Sequence, residues 1–285
     1  MTKCLFVSDL HGKIERYNKL FKQIISELPQ IVFIGGDILP SGAMHFTNSN
    51  TTNFVNDFLI PKFSDLKQTL GENYPRIFLI LGNDDPRCDE NSIIEGDKIG
   101  LWTYSNMKSF DYDDFTIIGY QYVPPTPFQL KDWEKYDVSR YVDPGCISPE
   151  EGRRTVRVEK SLIRYSTIKN DLEEFTKDIN FEKAVFLFHS PPYKTNLDRA
   201  ALDGKMIDYV PLDVHVGSIA IQKFIKAKQP YLTLHGHVHE STRITNSWKD
   251  KIGNTHMFGA AHDGNELCII TFDLENLEDV ERKLI

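Results

Sequence analysis

The sequence has few cysteines and no long hydrophobic run. Its four cysteines are scattered over 285 residues without a Cys-x-x-Cys pair, which excludes a disulfide framework and favours a reducing compartment. No stretch approaches the roughly 20 apolar residues that span a bilayer, and the chain begins without the apolar segment of a signal peptide. We therefore expect a cytoplasmic protein without a membrane partner.

The sequence also has fewer basic residues than acidic ones. The chain has 33 Lys plus Arg against 41 Asp plus Glu, a formal net charge of −8, so no global field attracts a polyanion and nucleic acid is an unfavoured partner. Only 17 Gly and 14 Pro are present, and 40% of the residues are hydrophobic, which excludes collagen-like, low-complexity and disordered classes. The composition is that of a globular protein.

Short apolar runs alternate with amphipathic segments along most of the chain. Apolar residues spaced three and four apart predict helices over 14–28, 158–179 and 221–225. The apolar runs predict buried strands, which fall at 4–8, 31–35, 76–81, 116–120, 184–188 and 231–234. This alternation predicts an α/β fold.

The pattern changes after Glu240. Short runs at 241–245, 255–259 and 267–273, with no helix predicted between them, are typical of antiparallel strands. No repeat or long linker separates two cores, so one domain is expected over 1–285.

Three segments without clear periodicity are longer than ordinary loops: 40–53, 122–157 and 191–216. The second carries five aromatic residues, and leaving them exposed would forfeit their burial energy. We expect segment 122–157 to pack as a lid, a specificity insertion or a subunit contact.

Most of the side chains that can bind a metal lie in five short motifs, each directly after a predicted strand. The motifs are Asp9-Leu10-His11, Gly36-Asp37, Gly82-Asn83-Asp84-Asp85, His189-Ser190-Pro191 and Gly236-His237-Val238-His239. In α/β sheets, ligands bind at the carboxyl ends of the strands, so residues far apart in sequence can converge there.

The donor atoms suggest the kind of metal and the number of ions. Imidazoles, carboxylates and one amide form a set of borderline hardness that suits Mn, Fe, Co, Ni or Zn, with Mn²⁺ as the first expectation, rather than Ca or Mg alone. Seven groups are too many for one four-coordinate ion, and a shared carboxylate can bridge two ions about 3.5–4 Å apart. The seven are Asp9, His11, Asp37, Asn83, His189, His237 and His239. We expect two divalent transition metal ions.

The ordered motifs resemble the calcineurin-like metallophosphoesterase superfamily. Pro-Pro-Tyr after His189 and the sequence Asp-Val-His-Val-Gly-Ser at 213–218 are similar to its Icc-related cytosolic subgroup. The resemblance implies a two-sheet α-β-β-α sandwich. It also implies that one metal is held by Asp9, His11, Asp37 and His239, and the other by Asp37, Asn83, His189 and His237, with Asp37 bridging.

The resemblance implies hydrolysis of a phosphoester by in-line attack of a metal-bridging hydroxide. Asn83, Asp84 and His215 are the predicted catalytic residues, Asn83 orienting the substrate as well as ligating. Asp84 departs from the pattern because most members have a histidine there, and an ionised carboxylate would repel a phosphate oxygen. We therefore expect phosphodiesters to be favoured over phosphomonoesters.

Two other functions remain open at this point. One is a non-catalytic binding module on the same fold, which the intact ligand set disfavours. The other is a nuclease, which the net charge of −8 disfavours. The expected partner is a small phosphoester substrate, and a homo-oligomer remains open.

Overall fold

The computed structural model describes residues 2–46 and 53–285. Within these ranges the helices are α1 (Ile14–Glu27), α2 (Ile60–Leu70), α3 (Glu90–Lys98), α4 (Lys160–Tyr165), α5 (Ile168–Phe175), α6 (Ile219–Lys228) and α7 (Ser241–Thr245). The strands are β1 (Lys3–Val7), β2 (Ile31–Gly35), β3 (Arg76–Ile80), β4 (Thr103–Tyr104), β5 (Ser109–Tyr112), β6 (Phe115–Tyr120), β7 (Ala184–Phe188), β8 (Met206–Ile207), β9 (Val210–Pro211), β10 (Leu232–His235), β11 (Lys249–Ile252), β12 (Thr255–Gly259), β13 (Cys268–Asp273) and β14 (Asn276–Leu284).

Two six-stranded sheets form the centre of the molecule. The first has the order β14-β13-β1-β2-β3-β4, and the second has the order β11-β12-β10-β7-β6-β5. Strands β1 to β4 pair in parallel, as do β6, β7, β10 and β12, while β5, β11, β13 and β14 are antiparallel to their neighbours. The architecture is the two-sheet α-β-β-α sandwich.

The alternation of side chains along each strand builds two apolar layers. In β1, Cys4 and Phe6 face the core between the sheets, while Leu5 and Val7 belong to the cluster that includes the buried face of α1. Phe33 of β2 lies centrally between the sheets. Burying a side chain of this size contributes about 1.5–3 kcal/mol relative to leaving it exposed, so the interlayer positions hold the sheets together.

The helix predicted over 158–179 is two shorter helices, α4 and α5. Ser166 is in extended conformation, and the Thr167 hydroxyl accepts a hydrogen bond from Asn170 N at 3.0 Å. This N-cap begins a new helix, as threonine favours. Leu162 and Tyr165, which the predicted stripe would bury, are exposed.

The strand predicted at 241–245 is wrong, since this segment is α7. Its end is marked by a hydrogen bond from the Thr245 hydroxyl to Ser241 O and by Asn246 in the left-handed conformation. A segment rich in β-branched residues becomes helical here because the chain turns directly after the loop that carries His237 and His239.

The antiparallel interpretation of the C-terminal region is correct for β13 but incomplete for β12. Strand β12 pairs in parallel with β10 on one side and antiparallel with β11 on the other. The edge strands β11 and β14 escaped prediction because they are largely charged and half-exposed, so they lack an apolar run.

The long aperiodic segments contain local structure. In the first, Gly42–Phe46 forms a 3₁₀ turn, while residues 47–52 lie outside the described residues. The third contains the β8–β9 hairpin. The segment 122–157 packs on the body of the molecule, since Trp133 and Tyr136 are buried and a bridge joins Tyr136 to Thr167. The expected burial of its aromatic residues is wrong for two of the five, because Phe128 and Tyr141 are exposed.

Candidate metal centre

The predicted ligands follow the carboxyl ends of five strands drawn from both sheets. Asp9 and His11 come after β1, Asp37 after β2, and Asn83 after β3. Four of the seven predicted ligands have left-handed backbone: Asp9 (φ 58), His11 (φ 49), Asp37 (φ 51) and His237 (φ 73). Non-glycine residues seldom adopt this conformation, and its clustering at one place is typical of functional sites.

Glycines in the motifs permit close approach of these side chains. A Cβ at Gly82 would collide with Asp37 Oδ1 and lie 2.6 Å from His189 Nε2. A Cβ at Gly236 would collide with the hydroxyl of Ser8. No side chain fits at either position, so glycine is required for the ligands to converge.

Asp9, His11 and His239 form the first group of donors. One ligand atom from each lies within 4.8 Å of the others. His239 Nε2 is 3.2 Å from Asp9 Oδ1 and also 3.2 Å from His11 Nε2. The carboxylate and both imidazoles therefore point towards one small volume.

Asp37, His189 and His237 form the second group, with ligand atoms again within 4.8 Å of one another. His189 Nε2 lies 3.3 Å from Asp37 Oδ2 and 3.2 Å from Asn83 Oδ1. The structure thus brings Asn83 to this second group, as the sequence predicts.

Asp37 lies close enough to both groups for its charge to act on each. It is hydrogen-bonded to His189 of the second group, and it raises the pKa of His11 in the first. Its other oxygen, Oδ1, accepts a hydrogen bond from Asp84 N at 2.8 Å, which fixes the orientation of the carboxylate. The bridging role of Asp37 remains a prediction.

The carboxylates are ionised because of the histidines around them. Burial would raise the pKa of Asp37, but the charge and hydrogen bond of His189 outweigh it and lower that pKa to about 2. Burial likewise opposes ionisation of Asp9, yet the hydrogen bond and charge of His239 hold its pKa well below the usual range. Both side chains are therefore anionic at neutral pH.

The surroundings raise the pKa of two histidines and lower the pKa of a third. Burial lowers the pKa of His189, but Asp37 reverses this effect and raises it to about 9. In His11, the hydrogen bond to Asp84 is the main effect opposing burial, and its pKa also rises to about 9. Burial and the charge of His189 lower the pKa of His237 to about 3, so His237 is neutral.

The donor set fits divalent cations. His189 Nδ1 is 2.7 Å from Gly35 O, so that nitrogen carries the proton and donates it, while Nε2 faces oxygens of Asp37 and Asn83. An imidazole nitrogen facing two acceptors needs either a proton or a cation between them. The second group therefore provides a lone pair, a carboxylate and an amide oxygen to a single point, as a transition metal requires.

Asp84 lies beside the centre, at the rim of the first group. Its Oδ2 is 3.4 Å from His11 Nδ1, and its Oδ1 accepts a hydrogen bond from the Ser41 hydroxyl at 2.7 Å. His11 thus presents Nδ1 to Asp84 and Nε2 to the metal group, the arrangement of a carboxylate that orients a metal-binding histidine. Arg87, a conceivable partner for Asp84, is instead paired with Glu90 and lies over the ring of Trp133.

His215 is paired with a buried carboxylate of its own loop. Its Nδ1 is 2.8 Å from Asp198 Oδ1, and its ring contacts Tyr193. Asp198 is fully buried and also accepts hydrogen bonds from the backbone of Lys194 and Thr195, so it holds this loop together. Within the described residues, the partners of His215 belong to this loop, and its catalytic role remains a prediction.

Two buried residues that support the centre escaped prediction. Asp85 accepts hydrogen bonds from the backbone N–H groups of Ile38, Leu39 and Gly82, and burial raises its pKa to about 8. Arg16 donates to Asp9 O at 2.5 Å. Asp85 could have been found as the last residue of its motif, whereas Arg16 lies on the helix α1 with no sequence signal.

The comparison with family models identifies the class of protein. The model described as calcineurin-like phosphoesterase matches residues 2–241. The chain therefore belongs to the calcineurin-like phosphoesterase family. A comparison with curated proteins finds no match.

Solved structures resemble this chain at low sequence identity. The protein TT1561 of Thermus thermophilus is 12% identical over 99% of this chain and 98% of that chain, with a TM-score of 0.59. A dimetal phosphatase from Danio rerio is 10% identical over 99% and 95% of the two chains, with a TM-score of 0.49. An archaeal phosphodiesterase is 12% identical over 99% of both chains, with a TM-score of 0.45.

A search for membrane-spanning segments gave a negative result. Among the residues that the structure describes, no helix has the length and apolar character needed to cross a bilayer.

Proposed function

We propose that this protein is a dinuclear metal-dependent phosphoesterase that hydrolyses small phosphodiesters in preference to phosphomonoesters. The observation that carries the proposal is the convergence of two Asp–His–His groups, one from Asp9, His11 and His239 and one from Asp37, His189 and His237. Two adjacent donor groups with a carboxylate placed to serve both are suited to a pair of cations.

The residues around the cations have separate roles in this proposal. Divalent ions held by these groups would neutralise charge on phosphate oxygens and would make water a better nucleophile at neutral pH. Asn83 uses its amide oxygen towards the second group, which leaves its NH₂ to donate to a phosphoryl oxygen. The Asp84 carboxylate orients His11 through the Nδ1 atom of the histidine, and the backbone N–H of Asp84 donates a hydrogen bond to Asp37.

The preference for diesters follows from the charge of Asp84. A phosphomonoester approaches as a dianion and a phosphodiester as a monoanion, so a carboxylate at the rim penalises the monoester more. One additional charge about 6 Å away at an effective dielectric constant of about 40 is worth roughly 1.4 kcal/mol, or about tenfold in rate.

The first experiment tests for catalysis itself. We expect Mn²⁺ to give turnover of bis-p-nitrophenyl phosphate and a chelator to abolish it, with re-addition of Mn²⁺ restoring the rate. Absence of turnover with Mn²⁺, Zn²⁺, Fe²⁺, Co²⁺ and Ni²⁺ would contradict the proposal and favour the non-catalytic binding module. Hydrolysis of single-stranded nucleic acid with steep salt dependence would instead favour the nuclease.

The second experiment tests the origin of the preference. Asp84→Asn removes the charge while keeping the size of the side chain, so we expect the ratio of bis-p-nitrophenyl phosphate to p-nitrophenyl phosphate hydrolysis to fall about tenfold. Asp84→His, which introduces the residue common in the family, should also lower the ratio of diester to monoester hydrolysis.

The matched control is Asp178→Asn at an exposed carboxylate after α5, which should leave the ratio unchanged. A wild-type protein that prefers the monoester, or a ratio that is the same in all variants, would refute this role for Asp84.

A further inference from the structure

A third cluster of metal-binding side chains lies outside the centre described above. His45, Cys88 and Asp89 each offer one ligand atom within 4.8 Å of the other two. Cys88 Sγ lies 3.7 Å from His45 Nδ1 and 3.9 Å from Asp89 Oδ1. In a tetrahedral zinc site with bonds of about 2.0–2.3 Å, the ligand atoms are roughly 3.3–3.8 Å apart. The two distances from Cys88 Sγ are within a few tenths of an ångström of that spacing, while the third side of the cluster joins His45 Nε2 and Asp89 Oδ2 at 4.0 Å.

We propose that His45, Cys88 and Asp89 form a separate site for a thiophilic divalent cation, with Zn²⁺ as the cation that fits best. The donor set is one nitrogen, one sulfur and one oxygen, whereas the predicted ligands of the main centre are nitrogens and oxygens only. A thiolate selects Zn²⁺ over Mn²⁺, so the two sites differ in metal preference. Three protein ligands leave a fourth position open to water or another small ligand.

The cluster lies where three segments of the chain meet. His45 is in the turn Gly42–Phe46, and Cys88 and Asp89 are in the turn Arg87–Asp89 before α3. The backbone N–H of Cys88 donates to the hydroxyl of Thr155, which belongs to segment 122–157. A cation bound there would join the first two turns directly and the third segment through Thr155.

The same turns lead to the rim of the main centre. Gly42 N donates to Asp84 O at 2.7 Å, and the Ser41 hydroxyl donates to the Asp84 carboxylate. The proposed site therefore lies beside the position that we expect to set substrate preference.

The competing explanation is a weak hydrogen bond from the Cys88 thiol to His45 without any metal. In the absence of a cation, burial and the charge of Asp89 raise the pKa of Cys88, so the thiol is protonated and a poor nucleophile. Burial also raises the pKa of Asp89. Binding of a cation would displace the thiol proton, whereas a hydrogen bond would leave it in place.

Cobalt substitution of the full-length protein distinguishes these explanations. A cysteine ligand to Co²⁺ gives a thiolate-to-cobalt charge-transfer band in the near ultraviolet, which the nitrogen and oxygen donors of the main centre cannot produce. We expect this band in the wild-type protein and its loss in Cys88→Ser. The matched control, Cys146→Ser, removes a half-buried thiol elsewhere and should retain the band. His45→Gln should weaken Co²⁺ binding while leaving Cys88 available.

Alkylation gives a second measurement that does not depend on cobalt. At Zn²⁺ ten times above its Kd, about one-tenth of the sites remain free, so iodoacetamide should label Cys88 about tenfold more slowly than without Zn²⁺. Mn²⁺ at the same concentration should give no protection.

The proposal is overturned if the wild-type protein lacks the charge-transfer band and Zn²⁺ leaves the labelling of Cys88 unchanged, because the thiol is then only hydrogen-bonded. It is also overturned if the band survives in Cys88→Ser, which would place the cation at another cysteine. Phosphoesterase activity is not part of either measurement, so the result is independent of the proposed function.

Discussion

Individual residues create the centre by adopting backbone conformations that are unfavourable elsewhere. Asp9, His11, Asp37 and His237 all have positive φ, and the glycines at 82 and 236 admit side chains that a Cβ would exclude. Such conformations cost of order 1–3 kcal/mol each and persist only where the surroundings hold them. Here the surroundings include the buried carboxyl group of Asp85, which accepts hydrogen bonds from the backbone N–H groups of Ile38, Leu39 and Gly82.

Metal content tests the assignment of individual ligands. Asp37 is the carboxylate that we expect to bridge both cations, so Asp37→Ala should reduce bound Mn²⁺ from two equivalents to none. His237→Ala and Asn83→Ala should each leave about one equivalent, because they belong only to the second group. Elemental analysis after gel filtration measures this directly. Two full equivalents in Asp37→Ala would show that Asp37 is not a ligand of either ion.

At the scale of elements, segment 122–157 is tied to α6 through Asp137. This carboxylate accepts hydrogen bonds from the Ser218 hydroxyl and from the backbone N–H groups of Ile219 and Ala220, the first residues of α6. Helix N-termini have unpaired N–H groups and a positive partial charge, so a half-buried carboxylate there is well placed. The segment therefore caps a helix as well as covering the core.

Removal of this cap should destabilise the protein. We expect Asp137→Ala to lower the free energy of unfolding by about 1–2 kcal/mol, because two backbone N–H groups lose their partner. Denaturant unfolding followed by circular dichroism measures the change, and the exposed control Asp178→Ala should stay within about 0.5 kcal/mol of wild type. Equal stabilities of Asp137→Ala and the control would show that the cap contributes nothing to the free energy of unfolding.

The same segment contains an ion pair with no exposure to water. Lys131 Nζ is 2.5 Å from Glu134 Oε2, and both side chains are fully buried. Glu134 also accepts hydrogen bonds from the backbone and hydroxyl of Thr126. Burial raises the pKa of Glu134 to about 7 despite the lysine, which shows how costly the unpaired carboxylate would be.

Removing only the lysine of this ion pair should destabilise the protein more than replacing both charged side chains with neutral ones. Lys131→Met leaves a buried carboxylate without its cation, and we expect a loss of about 3–5 kcal/mol in the free energy of unfolding. Lys131→Met combined with Glu134→Gln should recover part of this loss, because the glutamine amide is neutral and can still accept from Thr126. The measurement is again denaturant unfolding, and a double variant less stable than Lys131→Met would contradict the explanation.

At the scale of the whole molecule, the centre joins the two sheets. Asp9, Asp37 and Asn83 follow strands of the first sheet, whereas His189, His237 and His239 follow strands of the second. A cation bound jointly by residues of the first sheet and residues of the second would hold the two sheets together at this edge. Binding to the folded state alone must therefore raise the stability of the whole chain.

Thermal unfolding tests this linkage. Each Mn²⁺ at 100 times its Kd should add about 2.7 kcal/mol, so two bound ions should add about 5.4 kcal/mol, which corresponds to roughly 9 °C in Tm for a chain of this size. A chelator should reverse the increase. Asp37→Asn preserves the size of the side chain but removes the anionic ligand, so its Tm should respond little to Mn²⁺. A Tm that is independent of Mn²⁺ in the wild-type protein would exclude a cation shared between the sheets.

The sequence by itself determined the strands that carry the ligands and the chemical type of each ligand. Apolar runs such as 31–35 and 184–188 report burial that is local to the run, and the motif residues follow directly from where each run ends. The resemblance of the ordered motifs then predicted the two-sheet fold, which the family match and the structure confirm. The break between α4 and α5 was not predicted, since one hydroxyl cap decides it.

Only the tertiary structure decided which distant side chains became neighbours. It placed Asp84 against His11, paired His215 with Asp198, and brought His45 to Cys88. The periodicity of apolar residues cannot predict such contacts, because it reports only the spacing of residues along one element. These contacts depend instead on the topology of the sheets and on the course of the loops between them. The helix at Ser241–Thr245 has the same origin, since the turn after the ligand loop outweighs the strand propensity of its residues.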